Sequence, residues 1–291
     1  MSSVTQSVAA PNSPEANSGK GTADENFPVG SILIAARLRP HVAAFYAFAR
    51  AADDIADHAE LAPDDKVARL DALEAALTGQ PGYGEGYAKA HRLRESQALS
   101  RVTDAHARAL LSAFRQDATK TRYGSWAELH DYCRRSADPV GRYLLDLHGE
   151  DPVLYPASDA LCSALQVLNH LQDMGDDLRE IDRCYVSLDW LEAAGGTIAD
   201  VRAAKLTPAL RQTMDRMLDA TEVWVRQARA LPRGLKDRRL AMESAVIVAL
   251  ARKLLARLRR GDPLATRVKL SRVDFLCASV EGVFIGLFVR T

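Results

Sequence analysis

The chain has 291 residues, of which 47% are hydrophobic, and its 38 Lys and Arg balance its 38 Asp and Glu, so the formal net charge is zero. This length allows one large domain or two small ones with a sizeable core. A neutral charge balance gives no reason to expect the basic face that binds nucleic acid, so no nucleic-acid partner is predicted.

The four cysteines are scattered along the chain and form no C-x-x-C pair. This pattern favours reduced cytosolic thiols over a disulfide framework. The sequence has neither a secretory signal pattern nor an uninterrupted apolar run long enough to span a bilayer. We therefore expect a cytoplasmic protein.

In chain order, residues 1–25 come first and are rich in small and polar side chains, which predicts a disordered N-terminal arm. From Pro28 onward, apolar residues recur at steps of three and four, as in amphipathic helices, and alternating strand patterns are nearly absent. We predict that residues 26–291 form a single all-α helical bundle. The Gly-rich segment 82–86 lacks the preceding strand and the spacing of a nucleotide-binding loop and is interpreted as an interhelical turn.

Two clusters of aspartate are the most informative feature of the sequence. Asp53 and Asp57 in the first cluster, like Asp173 and Asp177 in the second, have the i, i+4 spacing that places side chains on one helical face. Carboxylates this dense beside apolar segments are costly unless a cation neutralises them. Two such faces turned toward each other would suit Mg²⁺, which completes its coordination with water and phosphate oxygens. The pattern predicts Mg²⁺-dependent chemistry on a diphosphate.

Residues beside the two clusters extend this prediction. Asn169 adds an amide oxygen one turn before Asp173, and Arg50 adds a cation one turn before Asp54. Aspartates on a solvated helix surface are the ordinary alternative, but acid clusters directly after buried-looking segments oppose local helix propensity. The predicted metal ligands are Asp53, Asp54, Asp57, Asn169, Asp173 and Asp177.

Other metals are less suited to this sequence. A di-iron centre uses Glu together with Glu-x-x-His pairs, and a zinc site of the common helical kind uses His-Glu-x-x-His; the sequence contains neither arrangement. His170 is interpreted as a packed or supporting group and not as a ligand.

The chain resembles the squalene/phytoene synthase family from about Lys20 to about Leu270. Several motifs in the same order carry this resemblance, which a lone acidic motif would not. They are Tyr46-x-x-x-Arg50-x-x-Asp53-Asp54-x-x-Asp57, Tyr132-Cys133-x-x-Ser136-Ala137-x-x-Val140-Gly141, Gln166-x-x-Asn169-x-x-Gln172-Asp173-x-Gly175-x-Asp177 and Asp182-Arg183-x-Tyr185.

Within this family the chain is similar to the hydroxysqualene synthases of bacterial hopanoid synthesis, notably in Tyr132-Cys133-Arg134-Arg135-Ser136 and Asn169-His170-Leu171-Gln172-Asp173. The resemblance implies an isoprenoid synthase fold around a central active-site cavity. It implies a lyase that ionises presqualene diphosphate, with Mg²⁺ as cofactor, and lets water capture the rearranged cation. The alternatives are a transferase that condenses prenyl diphosphates head-to-head and a non-catalytic assembly partner, which would be expected to lose the carboxylates.

The resemblance also implies roles for residues outside the acid clusters. Many family members have Arg where this chain has Gln172, so one diphosphate contact is expected to be missing. For the aromatic residues core packing is the alternative, and for Arg183 a salt bridge. The implied roles are catalytic for Tyr46, Tyr132 and Tyr185, diphosphate binding for Arg50, Arg183 and Lys20, and cavity lining for Phe27, Val140, Gly141 and Gln166.

The C-terminal region combines positive charge with an apolar end. Residues 226–272 contain many Lys and Arg, and the apolar stretch after them is interrupted by Asp274 and Glu281. This pattern predicts a packed or surface-docked helix, and Gly282-x-x-x-Gly286 would allow close helix contact. A solvated basic face is the ordinary interpretation, and contact with anionic lipid headgroups is the alternative. With an apolar prenyl diphosphate substrate, we expect peripheral association with the inner face of the cytoplasmic membrane and with neighbouring squalene-pathway enzymes.

Overall fold

The computed structural model describes residues 34–288, with side chains up to residue 284. The predicted arm over residues 1–25 and the two site residues Lys20 and Phe27 lie outside the described residues. The described chain is helical apart from two short strands, so the all-α prediction is confirmed. The elements are α1 (Arg39–Ala56), α2 (Pro63–Leu77), α3 (Ala88–Ser100), α4 (Ala105–Asp117), β1 (Arg122–Tyr123), α5 (Trp126–Ser136), α6 (Asp138–His148), α7 (Tyr155–Glu180), β2 (Cys184–Ser187), α8 (Leu188–Ala193), α9 (Ile198–Val201), α10 (Pro208–Gln227), α11 (Leu231–Gly234), α12 (Arg238–Arg260) and α13 (Arg272–Phe288).

The helices fall into two compact units, each of which is described by itself. Pro40–Thr119 form the first unit, and residues 34–39 together with the described residues from Lys120 onward form the second. The organisation as a single domain stays a prediction.

In the first unit, α1 is held in place at the end that carries the first acid cluster. Val42, Phe45 and Phe48 lie on its buried face, which is the face that the apolar spacing predicts. At its C-terminal end the Nζ of Lys66, in the first turn of α2, donates to the carbonyl of Ala56 at 2.9 Å. A carbonyl that the end of a helix leaves unsatisfied is thereby bonded.

In the second unit, α7 is the longest helix and carries the second acid cluster. It packs against α6, α10, α12 and β2. Leu161, Leu168 and Leu171 recur at helical spacing and are buried, whereas Leu165 is only half-buried. The apolar face of α7 therefore fixes the direction in which its acids point.

The two strands are an element that the sequence pattern did not predict. β1 and β2 pair in parallel, and the N–H of Cys184 donates to the carbonyl of Thr121 at 2.9 Å. All four residues of β2 are buried. A strand of four residues that is buried on both faces shows no alternation of apolar and polar residues, so periodicity does not reveal it.

The acid at the start of α6 is buried and makes stability depend on pH. Asp138 is 2% exposed, accepts a hydrogen bond from the Ser163 hydroxyl at 2.7 Å, and burial raises its pKa to about 7. An unfolded chain releases the same proton near pH 4. The folded state holds the proton more tightly, so this contribution to stability is full below about pH 4 and is lost as the pH rises to about 7.

Asp138→Asn is therefore expected to raise the free energy of unfolding by about 2–4 kcal/mol at about pH 8 and to change it little at about pH 4. The asparagine oxygen can still accept from Ser163 but never ionises. Urea unfolding at both pH values measures the difference, with Asp131→Asn, whose side chain is 62% exposed, as control. A stabilisation that is equal at both pH values would contradict this account.

The last two long helices of the second unit pack closely. A methyl group at Gly282 of α13 would lie 2.9 Å from the Met242 carbonyl oxygen and 3.0 Å from the Val246 nitrogen of α12. The close contact predicted for the Gly282 motif is thus confirmed at this residue. No helix within residues 34–288 is both long and apolar enough to cross a membrane.

Candidate active site

The first acid cluster lies at the C-terminal end of α1. The N–H of Asp57 donates to the carbonyl of Asp53 at 2.9 Å, so the helical geometry continues one residue beyond α1 and keeps both side chains on one face. Arg50 Nη1 lies 3.3 Å from Asp53 Oδ2, and Arg50 Nη2 lies 3.1 Å from Asp54 Oδ1. The Asp54 side chain is only 4% exposed, against 37% for Asp53. Asp54 thus anchors Arg50, while Asp53 is the more accessible carboxylate.

Negative charge accumulates around Asp53. Although 37% of the Asp53 side chain is exposed, the surrounding protein atoms desolvate its carboxylate. This desolvation, and next the carboxylate of Asp57, raise the pKa of Asp53 to about 7, even though Arg50 opposes the shift. Asp117, at the end of α4, is 5% exposed and adds to the same effect. Sequence reasoning missed Asp117 because it stands alone, outside every motif. Crowded carboxylates of this kind are stabilised by a bound cation.

The second acid cluster lies along one face of α7. Burial, and next the charge of Asp177, raise the pKa of Asp173 above its ordinary value. Arg267 Nη2 lies 3.8 Å from Asp173 Oδ1. Asp176 points elsewhere, because it forms an ion pair with Arg179 on the exposed side of the helix. The i, i+4 pair is therefore Asp173 and Asp177, as the spacing predicts.

The segment after α12 lies against this part of α7. The Gln172 amide Nε2 donates to the carbonyl of Val268 at 2.7 Å, and Gln172 is 4% exposed. A methyl group at Gly175 would lie 2.8 Å from Leu264, so only glycine allows this approach without a shift. Sequence reasoning missed Arg267, which this segment carries to Asp173, because about 90 residues separate them along the chain.

An aromatic cluster adjoins the second acid pair. The ring centroids of Tyr132 and Tyr185 are 5.6 Å apart, and Tyr123 lies 5.3 Å from each. His170 stacks on Tyr185 with centroids 3.5 Å apart and ring planes 13° apart, and its Nδ1 lies 3.9 Å from Asp177 Oδ2. Aromatic faces beside an acid pair can stabilise a cation. Tyr123 carried no sequence signal. His170 is packed, one of the two interpretations that the sequence allowed.

Arg183 lies where the chain passes from α7 to β2. It is 5% exposed, and its N–H donates to the carbonyl of Asp177 at 3.1 Å. The preceding residue, Asp182, has a φ of 51°, in the left-handed region. Its carboxylate lies 2.7 Å from Arg122 and 3.3 Å from Arg202. These ion pairs hold the tight turn that brings Arg183 beside the end of the acid cluster.

The remaining predicted residues have different surroundings. Tyr46 is half-buried on α1, and Val140 on α6 is 40% exposed. A methyl group at Gly141 would lie 2.7 Å from Cys162 Sγ, so Gly141 lies where α6 packs against α7. Gln166 Nε2 lies 3.0 Å from His170 Nε2, which places Gln166 beside the aromatic cluster. Their roles in lining a cavity stay predictions.

The donor atoms fit a hard metal ion. Within the described part of the chain, no group of three or more His, Cys, Asp or Glu side chains is gathered closely enough to hold a metal. Mg²⁺ requires few protein ligands, because water and phosphate oxygens complete its shell. Two aspartate pairs and the amide of Asn169 offer oxygen donors alone, the set that Mg²⁺ prefers to thiolate or imidazole.

Comparison with known proteins agrees with these features. The squalene/phytoene synthase family model matches residues 21–274. The hydroxysqualene synthase of Sinorhizobium fredii is 46% identical over 257 residues, 88% of this chain and 87% of the relative. That of Rhodopseudomonas palustris is 45% identical over 265 residues, 91% of this chain and 90% of the relative.

A solved structure is similar over most of its length. The squalene synthase HpnC from Alicyclobacillus acidocaldarius superposes with a TM-score of 0.72 at 34% identity, covering 82% of this chain and 90% of that one. The expected isoprenoid synthase fold is confirmed. With the family match spanning both acid clusters and the aromatic cluster, the chain belongs to the squalene/phytoene synthase family.

Proposed function

We propose that this enzyme converts presqualene diphosphate and water to hydroxysqualene and diphosphate. The bond between carbon and the diphosphate oxygen breaks, the cyclopropylcarbinyl cation rearranges, and water forms the new carbon–oxygen bond. The proton of that water passes to the released diphosphate. Relatives that are 46% and 45% identical bear the name of this activity. The observation that carries the proposal is the stacked pair His170 and Tyr185 directly beside Asp177.

The aspartates of each acid cluster would bind Mg²⁺ ions. Enzymes of this family generally use a divalent metal, and the oxygen donors favour Mg²⁺. When bound, Mg²⁺ neutralises charge on the departing diphosphate. The ligands in this proposal are Asp53, Asp57, Asn169, Asp173 and Asp177, with Asp54 supporting them through Arg50.

Cationic side chains and aromatic rings of the chain would bind the diphosphate and stabilise the carbocation. Arg50 and the buried Arg183 would bind diphosphate oxygens, because a guanidinium fork matches phosphate geometry. Tyr132 and Tyr185 are nearly fully buried, which provides a water-poor setting, and the proposal assigns their rings to stabilising the carbocation. Lys20, Phe27 and Tyr46 keep their predicted roles of diphosphate binding, cavity lining and catalysis.

Product identification tests this proposal. Purified protein is incubated with Mg²⁺ and presqualene diphosphate in water enriched in oxygen-18, and the product is analysed by mass spectrometry. Hydroxysqualene that carries the heavy isotope is expected. Farnesyl diphosphate alone is expected to give no product. Consumption of farnesyl diphosphate without any turnover of presqualene diphosphate would overturn the proposal.

Head-to-head condensation of prenyl diphosphates is the second candidate. The name of the solved relative that is 34% identical, squalene synthase, favours it. The same incubation separates the two activities, because condensation consumes farnesyl diphosphate and squalene formation also requires a hydride donor.

We also propose a peripheral location at the inner face of the cytoplasmic membrane, beside the neighbouring enzymes of squalene synthesis. A very apolar substrate and product dissolve in the bilayer, so an enzyme at its surface meets them at the highest concentration. The absence of a membrane-crossing helix among residues 34–288 is compatible with this location.

A further inference from the structure

The outer face of α13 is an exposed apolar surface. We call it the α13 stripe, and it consists of Val273, Leu276, Val280 and Val283. These side chains are between 43% and 66% exposed. Their spacing places them on one side of the helix, within roughly 120° of arc. Contiguous apolar patches on a protein surface commonly mark interaction sites, whereas single exposed apolar side chains do not.

The stripe is surplus to the packing of α13 within the second unit. The opposite side of the helix carries Ala278, which is fully buried in a cluster with Ala249 and Leu250 of α12. Gly282, on the same inner side, allows the two backbones to approach closely. The inner face already supplies contacts that fix α13, and among the described residues the stripe stays exposed.

A basic cavity opens beside the first turn of α13. Its volume is about 720 Å³, and the charged residues of its wall are Lys253, Arg257, Arg260, Arg267, Lys269 and Asp274. Arg257 and Lys253 both pair with Asp274. Arg260 and Lys269 form no ion pair with any carboxylate of the described chain. Asp274 directly follows Val273, so the basic cavity and the α13 stripe adjoin.

We propose that the α13 stripe and the basic cavity form a docking surface for a bilayer that contains anionic phospholipids. The stripe enters the boundary between headgroups and acyl chains, and the cavity takes a headgroup phosphate. Charge complementarity selects this partner, because an apolar helical face flanked by cations is what an anionic interface binds. This docking surface rests on the peripheral location proposed above, and it names the residues that would contact the membrane.

Vesicle sedimentation tests the docking surface. The full chain is expected to sediment with vesicles that contain phosphatidylglycerol and not with phosphatidylcholine alone, and added salt is expected to weaken binding. Leu276→Glu with Val280→Glu, and separately Arg260→Glu with Lys269→Glu, are each expected to lower the partition coefficient by about tenfold or more. The controls are Val153→Glu, at a side chain that is 73% exposed, and Arg229→Glu, at an exposed cation.

A probe on the stripe reports which partner covers it. Cys277 is the one exposed thiol of the four, and it lies on the same face of α13. An environment-sensitive fluorophore on Cys277 is expected to shift to shorter wavelength with phosphatidylglycerol vesicles, and the shift is expected to be lost in Cys277→Ser.

Three results would overturn the docking surface. They are equal binding to both kinds of vesicle, binding that the two double variants leave unchanged, and a dimer in light scattering that Leu276→Glu dissociates. Turnover of presqualene diphosphate is measured separately in detergent solution. Vesicle binding without turnover would support the docking surface and count against the proposed activity alone. Turnover without vesicle binding would support the proposed activity and count against the docking surface alone.

Discussion

Asp53→Asn and Asp177→Asn are each expected to lower the turnover of presqualene diphosphate by about a thousandfold or more. Asparagine keeps the size of the side chain and one oxygen but removes the charge that a metal–diphosphate complex requires. The fold should not suffer at Asp53, where burial and the neighbouring Asp57 already raise the pKa of the carboxyl group to about 7. Loss of turnover without loss of stability would separate a chemical role from a structural one.

The measurement combines steady-state kinetics with thermal melting followed by circular dichroism. Asp65→Asn, on the exposed side of α2, and Asp219→Asn, at a side chain that is 68% exposed on α10, are matched controls in the two units. Both controls are expected to retain turnover. Full activity in either the Asp53 or the Asp177 variant would refute the metal assignment.

Tyr185→Leu is expected to lower turnover by about thirtyfold, because a desolvated cation–π contact contributes about 2 kcal/mol. Tyr185→Phe keeps the aromatic face and is expected to retain most of the activity. The stacking of Tyr185 on His170, and its contacts with Tyr123 and Tyr132, show that the ring and not only the hydroxyl is part of the cluster.

Product analysis accompanies the kinetics of both Tyr185 variants. In the leucine variant the carbocation is less stabilised and should also form other hydrocarbons or alcohols, which mass spectrometry detects. Tyr87→Leu, in the edge-to-face pair with Tyr83 in the first unit, is the control for loss of an aromatic contact. An equal loss in the phenylalanine and leucine variants would assign the role to the hydroxyl and contradict cation stabilisation by the ring.

The helices and the acid pairs could be predicted because their information is local. Apolar spacing identifies α1 and α7, and the i, i+4 rule places Asp53 with Asp57 and Asp173 with Asp177. Even the end of α1 follows this rule, since Asp57 continues the hydrogen-bond pattern one residue beyond the helix.

Other parts of the site could not be predicted, because they depend on contacts between distant residues. Tyr123 joins Tyr132 and Tyr185 only once β1 pairs with β2. Asp117, at the end of a different helix, helps to raise the pKa of Asp53. Periodicity within one segment contains no information about either contact. The family resemblance supplied Tyr132 and Tyr185 but neither of these partners.

Gln172 makes a structural contact that its motif does not predict. The resemblance interprets it as a missing diphosphate contact, whereas its side chain is buried and bonded to the Val268 carbonyl. Because the Gln172 amide bonds to a backbone carbonyl, the side chain at residue 268 can be substituted without loss of this hydrogen bond. The constraint falls instead on the length of the donor at residue 172, because a shorter side chain would not reach that carbonyl.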